Sequence, residues 1–323
     1  MYFKLLGPLE AVIDGRVLPL CGGKQRAVLS ALLAGANDLV PLDRLIEWSW
    51  PRRPPRAAPA VVQAHISRLR RAIEPHRPAW AAPRVLTYRA PGYVMLVEPD
   101  QLDVLEFERK VAEGRAALED NDAARAAAVL GRALSLWRGT PLADVSMVDA
   151  AQDTIARLES LRLSAIVARN DADLRLGRDL ALVPELQALV RAHPFDERLC
   201  AQLMIALYRC GRQAAALEVY ARMRDTLARE LKIAPAPALR RMREAILAQD
   251  PALERPGLDR AGLERAGLER AGLERTDLDR PRLGRAGPER ADVDRLRLER
   301  AGVERVRLER AGLERLRLER RMV

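Results

Sequence analysis

The sequence predicts a mainly α-helical protein with a small amount of β structure, built from three successive parts. Residues 1–98 alternate between short strand patterns and three helical patterns, whereas residues 99–250 are helical in pattern throughout. Residues 251–323 repeat a unit of five residues. The chain has 323 residues, of which 49% are hydrophobic, so it can form two hydrophobic cores beside that repeat.

The first part opens with strands and continues with helices. Gly7-Pro8 separates two strand patterns, and Asp14-Gly15 is a hairpin signal before a third. Three helical patterns follow, and a hairpin pattern around Pro91-Gly92 ends this part. This order predicts a winged helix-turn-helix domain of the α+β class over residues 1–98. The segments are "YFKLLG", "LEAVID", "RVLPL", "KQRAVLSALLAGA", "PLDRLIEWSW", "VVQAHISRLRRAI", "RVLTY" and "YVMLV".

The third helix of this part has an apolar back and a basic front. At about 100° per residue, its apolar side chains fall within roughly 60° of one another; they are Val62, Ile66, Leu69 and Ile73. The opposite side pairs small residues, which allow close approach to a surface, with arginines, which can bond guanine or a phosphate. This pattern favours a helix in the major groove of double-stranded DNA; the alternative is the solvated face of an ordinary amphipathic helix. The front and its flank comprise Ala60, Gln63, Ala64, Ser67, Arg68, Arg70 and Arg71.

Positive charge is concentrated in the first part. Residues 1–98 carry 14 Lys and Arg against 7 Asp and Glu, whereas residues 99–250 carry 22 against 23. Residues 251–323 carry 19 against 15, and the whole chain has a net charge of +10. A basic domain beside a neutral one indicates a polyanionic partner for the basic domain.

Further candidates for DNA contact lie outside the third helix. Lys24 and Arg26 begin the first helix, where backbone N–H groups could hold a phosphate; the alternative is a solvated helix start. Arg89 lies beside the tip of the hairpin, where it could enter a minor groove. His65 flanks the apolar back of the third helix and is interpreted as a structural histidine with satisfied hydrogen bonds.

The second part is helical in pattern from Leu102 to Ala248. Paired helices of this length, with alanine at packing positions, predict an all-α, TPR-like domain over residues 99–250. Five residues of these helices are predicted to lie in the core: Trp137, Tyr208, Tyr220, Cys200 and Cys210. The predicted breaks are Asp120-Asn121, Gly139-Thr140-Pro141, His193-Pro194 and Cys210-Gly211.

The third part, residues 251–323, is a low-complexity pentad-repeat tail. The unit "AGLER" recurs at 261, 266 and 271, and arginine ends each pentad up to residue 320. A five-residue period leaves no fixed apolar stripe on an α-helix, and each glycine disfavours a helix by about 1 kcal/mol. We expect a disordered or partly helical tail; the alternative is a short pentapeptide-repeat β-helix.

Several functional classes are excluded by the sequence. No run of about 18 apolar residues occurs, and the N-terminus is not a signal peptide, so we expect a cytoplasmic, nucleoid-associated protein with no membrane contact. The three histidines lack cysteines or carboxylates at ligand spacing. "GGKQ" at 22–25 is not a phosphate-binding loop, and no nucleophile–base motif occurs. We expect no enzyme activity, catalytic residue, cofactor or metal.

Segments throughout residues 1–250 carry a family resemblance. They are "FKLLGPLEAVIDGRVLPLCGGKQRAVLSALL", "LDRLIEWSW", "VQAHISRLRRAI", "LTYRAPGYVM", "ALSLWRGTPLADV", "LMIALYRCGRQAAAL" and "ELKIAPAPALRRMREAIL". Together they resemble the Streptomyces antibiotic regulatory protein family of actinobacterial transcription activators. The resemblance implies an OmpR-type winged helix followed by a bacterial transcriptional activation domain.

The resemblance also implies a mode of action. Members bind direct repeats that overlap the −35 region of promoters, recruit RNA polymerase and switch on secondary-metabolite gene clusters. Two protomers are expected side by side on the repeats, with polymerase contacts from the loop near residues 48–56 and from the activation domain. Arg52-Arg53 differ from the acidic or neutral pair that many members have, and are expected to add phosphate contacts. The pentad tail has no counterpart in the short members.

The sequence therefore predicts a DNA-binding activator of a secondary-metabolite, or antibiotic, gene cluster. The competing hypothesis is a TPR-like protein-interaction scaffold without specific DNA binding. The candidate DNA-binding residues are Lys24, Arg26, Arg52, Arg53, Gln63, Ala64, Ser67, Arg68, Arg70, Arg71, Arg89 and Tyr93.

Overall fold

A computed structural model of the chain describes residues 1–20, 22–50, 52–78, 80–145 and 149–254. From residue 255 onward the pentad-repeat tail lies outside the described residues, so its structure stays a prediction. Within the described part of the chain, none of the helices combines the length and the apolar composition that a membrane span requires.

The N-terminal sheet is an antiparallel meander. Its strands are β1 (Tyr2–Lys4), β2 (Glu10–Ile13) and β3 (Arg16–Val17), hydrogen-bonded in that order. Asp14 and Gly15 join β2 to β3 with φ angles of 49° and 75°, the left-handed conformation that a tight hairpin turn requires. The strands and the turn that the sequence predicts are confirmed.

Three helices and a second sheet complete the winged helix. The helices are α1 (Gly23–Ala34), α2 (Leu42–Ser49) and α3 (Ala58–Ile73). The sheet consists of β4 (Leu39–Pro41), β5 (Leu86–Arg89) and β6 (Gly92–Met95), with β6 in the centre. The hairpin is as predicted, but the sequence does not predict β4, because three residues are too few to show alternation. Gly92 allows β4 to approach, since a Cβ there would lie 2.1 Å from the carbonyl oxygen of Val40.

The second part of the chain is all α-helical, as predicted. Successive helices pack as neighbours, and Gly114 in α4 lets α5 approach, because a Cβ there would lie 2.5 Å from Cγ of Leu130. The predicted breaks fall between the helices. The helices are α4 (Asp103–Glu119), α5 (Ala123–Leu134), α6 (Asp149–Arg175), α7 (Asp179–Ala192), α8 (Glu197–Arg209), α9 (Gln213–Thr226) and α10 (Pro237–Leu247).

The residues that the structure describes form two hydrophobic cores, which meet on α6. The first runs from Phe3 to Ala172 and includes both sheets, α1 to α5 and most of α6. The second runs from Val167 to Ile246 and joins the end of α6 to α7, α8, α9 and α10. The first core therefore crosses residue 98 without interruption, because the winged helix packs directly on the first helices of the all-α part.

The residues predicted to be core in the all-α part pack against these two cores. Cys200 and Tyr220 are buried, while Tyr208 and Cys210 are half-buried against the second core. Trp137 is half-buried against the first core, where its ring meets that of Phe107 edge-to-face at 5.5 Å. These placements agree with the expectation of core positions.

Polar contacts also join the winged helix to the all-α part; we call them the interdomain seam, formed by residues 5–9 with Asp103, Arg138, Leu142 and Asp144. The Asp103 carboxylate, only 2% exposed, accepts hydrogen bonds from the backbone N–H groups of Leu5 (2.8 Å) and Leu6 (2.9 Å). Backbone N–H groups of Arg138 and Leu142 donate to the carbonyls of Leu6 and Leu5, at 2.7 and 3.0 Å. Burial raises the pKa of Asp103 to about 6, although the bonds from Leu5 and Leu6 lower it. The seam joins the segment between β1 and β2 to the start of α4 and to the segment between α5 and α6.

Candidate nucleic-acid interface

Helix α3 presents the two faces that its sequence predicts. Its apolar residues are buried under α1 and α2, and the opposite face is exposed. The buried residues are Val62, Ile66, Leu69 and Ile73, and the exposed ones are Ala60, Gln63, Ala64, Ser67, Arg68 and Arg71. We call this exposed set the α3 front.

The start of α3 is built without a polar cap. Pro59 occupies the first turn, where its missing N–H removes a donor that would otherwise be unsatisfied. No side chain of the described residues caps the helix at Ala57. Further along, the Ser67 hydroxyl donates to the Gln63 carbonyl at 3.0 Å, which leaves its oxygen free to accept. Small side chains at Ala60 and Ala64 keep this half of the α3 front flat, so the backbone can come close to another surface.

Arg70 is turned inward, in contrast to its neighbours in the sequence. Its Nε donates to the Leu86 carbonyl of β5 at 2.8 Å, and its guanidinium lies 5.7 Å from the ring centre of Tyr93. Tyr93 is only 7% exposed. Arg70 and Tyr93 therefore connect α3 to the wing sheet and are not part of the α3 front.

The two cations at the start of α1 have different surroundings. Lys24 is exposed, and its Nζ lies 4.3 Å above the Trp50 ring. Arg26 is half-buried and forms an ion pair with Asp144 at 2.7 Å and a hydrogen bond to the Leu9 carbonyl. Arg26 is thus bound to two residues of the interdomain seam, Leu9 and Asp144, whereas Lys24 remains accessible to a ligand.

His65 is buried, as predicted, but one of its two ring nitrogens does not have the hydrogen bond that the prediction expects. Nδ1 has no hydrogen-bond partner among the described residues. Burial lowers the pKa of His65, and the positive charges of Arg68 and Lys24 lower it further. These effects favour the neutral ring, and they show that Lys24 of α1 and Arg68 of α3 are both close enough to His65 to act on it electrostatically.

The remaining predicted residues lie in two exposed segments. Arg52 and Arg53 are exposed in the loop between α2 and α3, and Arg89 is exposed at the end of β5. Sequence reasoning missed Arg56, which is exposed in the same loop as Arg52 and Arg53. The segment "PRRPPRAAP" carries Arg56 close to Arg52 and Arg53, so the same pattern of basic residues in a proline-rich loop also indicates Arg56.

Tyr88 is a second residue that the sequence analysis missed. It is 62% exposed beside Arg89, and its ring meets that of Tyr93 edge-to-face at 5.4 Å. Pairing of Tyr88 with Tyr93 across β5 and β6 fixes this position. An exposed aromatic ring can stack on a base, as aromatic side chains do in proteins that bind single-stranded nucleic acid.

Two protein families match the chain, one for each of its structured parts. The family described as "Transcriptional regulatory protein, C terminal" matches residues 19–95. The family described as "Bacterial transcriptional activator domain" matches residues 102–247. The matched segments correspond to the winged helix and to the all-α part.

Several regulators are similar along most of the chain. Regulatory protein DnrI of Streptomyces peucetius is 40% identical over 258 residues, which cover 79% of this chain and 95% of DnrI. Regulatory protein AfsR of Streptomyces coelicolor is 39% identical over 252 residues, but these cover only 24% of AfsR. The solved structure of Mycobacterium tuberculosis EmbR in complex with a low-affinity phosphopeptide has a TM-score of 0.72 at 35% identity. That likeness covers 86% of this chain and 70% of EmbR.

The protein consists of a winged helix followed by a helical activator domain. This domain order and the similarity to known regulators show that it is a DNA-binding transcriptional activator and not an enzyme. A scaffold that does not bind DNA does not fit these relatives. The chain belongs to the Streptomyces antibiotic regulatory protein family, as its domain order and its similarity to DnrI and AfsR show.

Proposed function

We propose that this chain switches on a secondary-metabolite gene cluster by binding direct repeats that overlap the −35 region of its promoter. Two protomers bind adjacent repeats from one side of the DNA and recruit RNA polymerase, so the protein acts at the nucleoid in the cytoplasm. Membership of the Streptomyces antibiotic regulatory protein family supports this proposal. The observation that carries it is the α3 front, on which small residues and free arginines face solvent together.

In this proposal the α3 front reads base edges. Arg68 and Arg71 are exposed and form hydrogen bonds with guanine. The side-chain amide of Gln63 both donates and accepts, so it can form two hydrogen bonds with adenine. Ala64 and Ser67 allow the helix backbone to sit deep in the major groove. The flat, small-residue half of α3 supports this arrangement, because a bulky side chain there would hold the backbone away from the bases.

Other exposed cations contact the phosphates. Lys24 is exposed at the start of α1, and Arg52 and Arg53 extend from the loop before α3. Arg89 at the wing tip enters the neighbouring minor groove, with Tyr88 beside it. These contacts position the protein and carry no sequence information themselves. We leave out Arg26, Arg70 and Tyr93, because each is engaged within the protein.

The test is binding of the full chain to the upstream regions of neighbouring genes, by gel shift and footprinting. The logarithm of the binding constant should fall with the logarithm of salt concentration by about 0.9 per phosphate contacted. The double variant Arg68→Ala/Arg71→Ala should lose about 1–3 kcal/mol of specific binding for each base contact removed. Arg16→Ala is the matched control, because Arg16 is exposed on β3, away from the α3 front. Unchanged binding and unchanged transcription in the double variant would refute the proposal.

Polymerase recruitment is tested separately, by transcription in vitro with purified RNA polymerase holoenzyme on the footprinted promoter. Changing the exposed pair Arg52 and Arg53 to alanine should lower DNA affinity and the transcript yield together if they contact only phosphates. A larger loss of transcript than of promoter occupancy would assign this loop to the polymerase contact as well.

A further inference from the structure

A concave groove lies between α9, α10 and the loop that joins them. Its volume is about 540 Å³. Tyr220 and Pro235 are buried at its floor, and Ile233 lies beside them with 52% of its surface exposed. The exposed cations Arg224, Lys232 and Arg240 also line it, and none of the described residues in its lining is acidic. We call this feature the basic groove.

An irregular backbone produces the basic groove. Helix α9 passes into a π-helical turn at Leu227–Leu231, and Lys232 ends that turn in the left-handed conformation, with φ of 60°. π-Helical turns are rare and are frequent at functional sites. A consequence of this turn is that Leu231 and Ile233 are turned to solvent, about half exposed, rather than packed in the second core.

The cations of the basic groove are available to a ligand. Within the described part of the chain, Lys232 Nζ donates one hydrogen bond, to the Arg229 carbonyl at 3.0 Å. Arg224 pairs with its exposed neighbour Asp225, a kind of surface ion pair that contributes little energy. The Arg243 guanidinium lies 5.4 Å from the ring centre of Tyr220 and adds positive charge beside the floor.

We propose that the basic groove binds an acidic, amphipathic peptide segment of a partner protein. Leucine or phenylalanine side chains of the segment would pack on Ile233 and Pro235, and its carboxylates would meet Arg224, Lys232 and Arg240. The pentad tail of this chain has the wrong charge, because arginine ends its pentads and its net charge is positive. A DNA backbone would match the cations but would leave the apolar floor unused. The proposal does not depend on DNA recognition by α3.

The experiment measures fluorescence anisotropy of a short fluorescein-labelled peptide, in which aspartates alternate with leucines, titrated with the full chain. Two matched peptides carry asparagine for aspartate or serine for leucine. We expect binding of the first peptide only, and weaker binding at higher salt, because the cations are exposed. The variant Arg224→Glu/Arg240→Glu should bind about tenfold more weakly or worse, since like charges would then face each other. Ile233→Ser should weaken binding severalfold through loss of apolar contact.

The control variant is Arg222→Glu, on α9 but outside the basic groove, which should bind as the unchanged protein does. Circular dichroism establishes that each variant is folded. Equal peptide affinity in Arg224→Glu/Arg240→Glu and in the unchanged protein would overturn the proposal. Loss of peptide binding in Arg68→Ala/Arg71→Ala would also overturn it, because the peptide would then bind to the α3 front. Tighter binding of non-specific duplex DNA than of the peptide at the basic groove would overturn it as well. The peptide titration contains no DNA, so a failure of the peptide to bind would not bear on the proposed function in DNA recognition.

Discussion

The two hydrophobic cores of this protein differ in how they are connected to the rest of the chain. The first core joins the winged helix to α4, α5 and α6. The interdomain seam adds backbone hydrogen bonds between these two parts and hydrogen bonds to the buried Asp103 carboxylate. The second core holds helices of one part only, and it ends in an irregular turn with exposed apolar residues. The first core thus fixes the orientation of the α3 front, while the second supports the separate surface of the basic groove.

This difference indicates that a boundary between sequence patterns need not be a boundary between packed units. The pattern changes near residue 98, yet apolar contacts continue across it from Phe3 to Ala172. A perturbation of the first core should therefore reach the DNA-binding face, and a perturbation of the second core should not. The following predictions test that contrast.

The largest effects are expected from one truncation in each core. Leu69 and Leu186 are both fully buried, in the first and second core, and each change to alanine should lower the free energy of unfolding by about 2–5 kcal/mol. Only Leu69→Ala should also weaken promoter binding by the folded protein, because Leu69 lies directly beneath the α3 front. Denaturant titration and gel shifts below the unfolding transition measure the two effects. Equal loss of DNA affinity in the folded Leu186→Ala protein would contradict the contrast.

Removing the buried carboxylate should have the next largest effect. Asp103→Ala leaves the N–H groups of Leu5 and Leu6 without an acceptor, so the free energy of unfolding should fall by about 1–3 kcal/mol or more. Asp100→Ala is the matched control, because Asp100 is exposed three residues away, and should change stability by less than about 0.5 kcal/mol. Similar stabilities of the two variants would show that the seam contributes little.

The pH dependence of stability should identify the same carboxyl group. The pKa of Asp103 rises from 3.8 to about 6 on folding, so the folded protein binds this proton more tightly than the unfolded chain. The part of the stability that comes from proton binding by Asp103 is therefore greatest at low pH and is lost as the pH rises from 3.8 through about 6, while the hydrogen bonds to the ionised carboxylate remain. The difference in unfolding free energy between the unchanged protein and Asp103→Asn should decline over that range. A difference that stays constant with pH would rule out this titration.

Two adjacent arginines separate stability from DNA recognition. Arg70→Ala removes a charged hydrogen bond to Leu86 and the contact with Tyr93, and should lower the free energy of unfolding by about 1–2 kcal/mol. Arg71→Ala should leave stability within about 0.5 kcal/mol, and should weaken promoter binding by about 1–3 kcal/mol if it reads a base. Thermal unfolding and gel shifts compare the two variants. The reverse assignment of effects would show that the α3 front is not the recognition surface.

The smallest effects are expected at the start of α1. Arg26→Ala breaks a partly exposed ion pair with Asp144 and should lower the free energy of unfolding by less than about 1 kcal/mol. Lys24→Ala should change stability even less but should reduce the salt dependence of DNA binding by about one phosphate contact. If Arg26→Ala reduced the salt dependence of DNA binding and Lys24→Ala did not, then Arg26 and not Lys24 would be the residue that contacts a phosphate.

Local patterns were sufficient for most of the secondary structure and for the α3 front. The buried and exposed sides of α3 follow from the helical period alone, since side chains three and four residues apart share a face. The period could not place Arg70, because a residue on the flank of a helix turns toward whichever partner lies nearest. That partner is the Leu86 carbonyl, on a strand that reaches α3 only after the wing has folded.

The sequence alone determined the order of strands and helices, the concentration of positive charge in the first 98 residues, the apolar back of α3 and the family to which the chain belongs. These properties depend on neighbouring residues and on composition. The tertiary structure decided which cations are free, that the first core continues across residue 98, and that a basic groove forms after α9. Each of these depends on contacts between residues that are distant in the sequence, such as Arg26 and Asp144, which are 118 positions apart. The periodicity of neighbouring residues contains no information about such contacts.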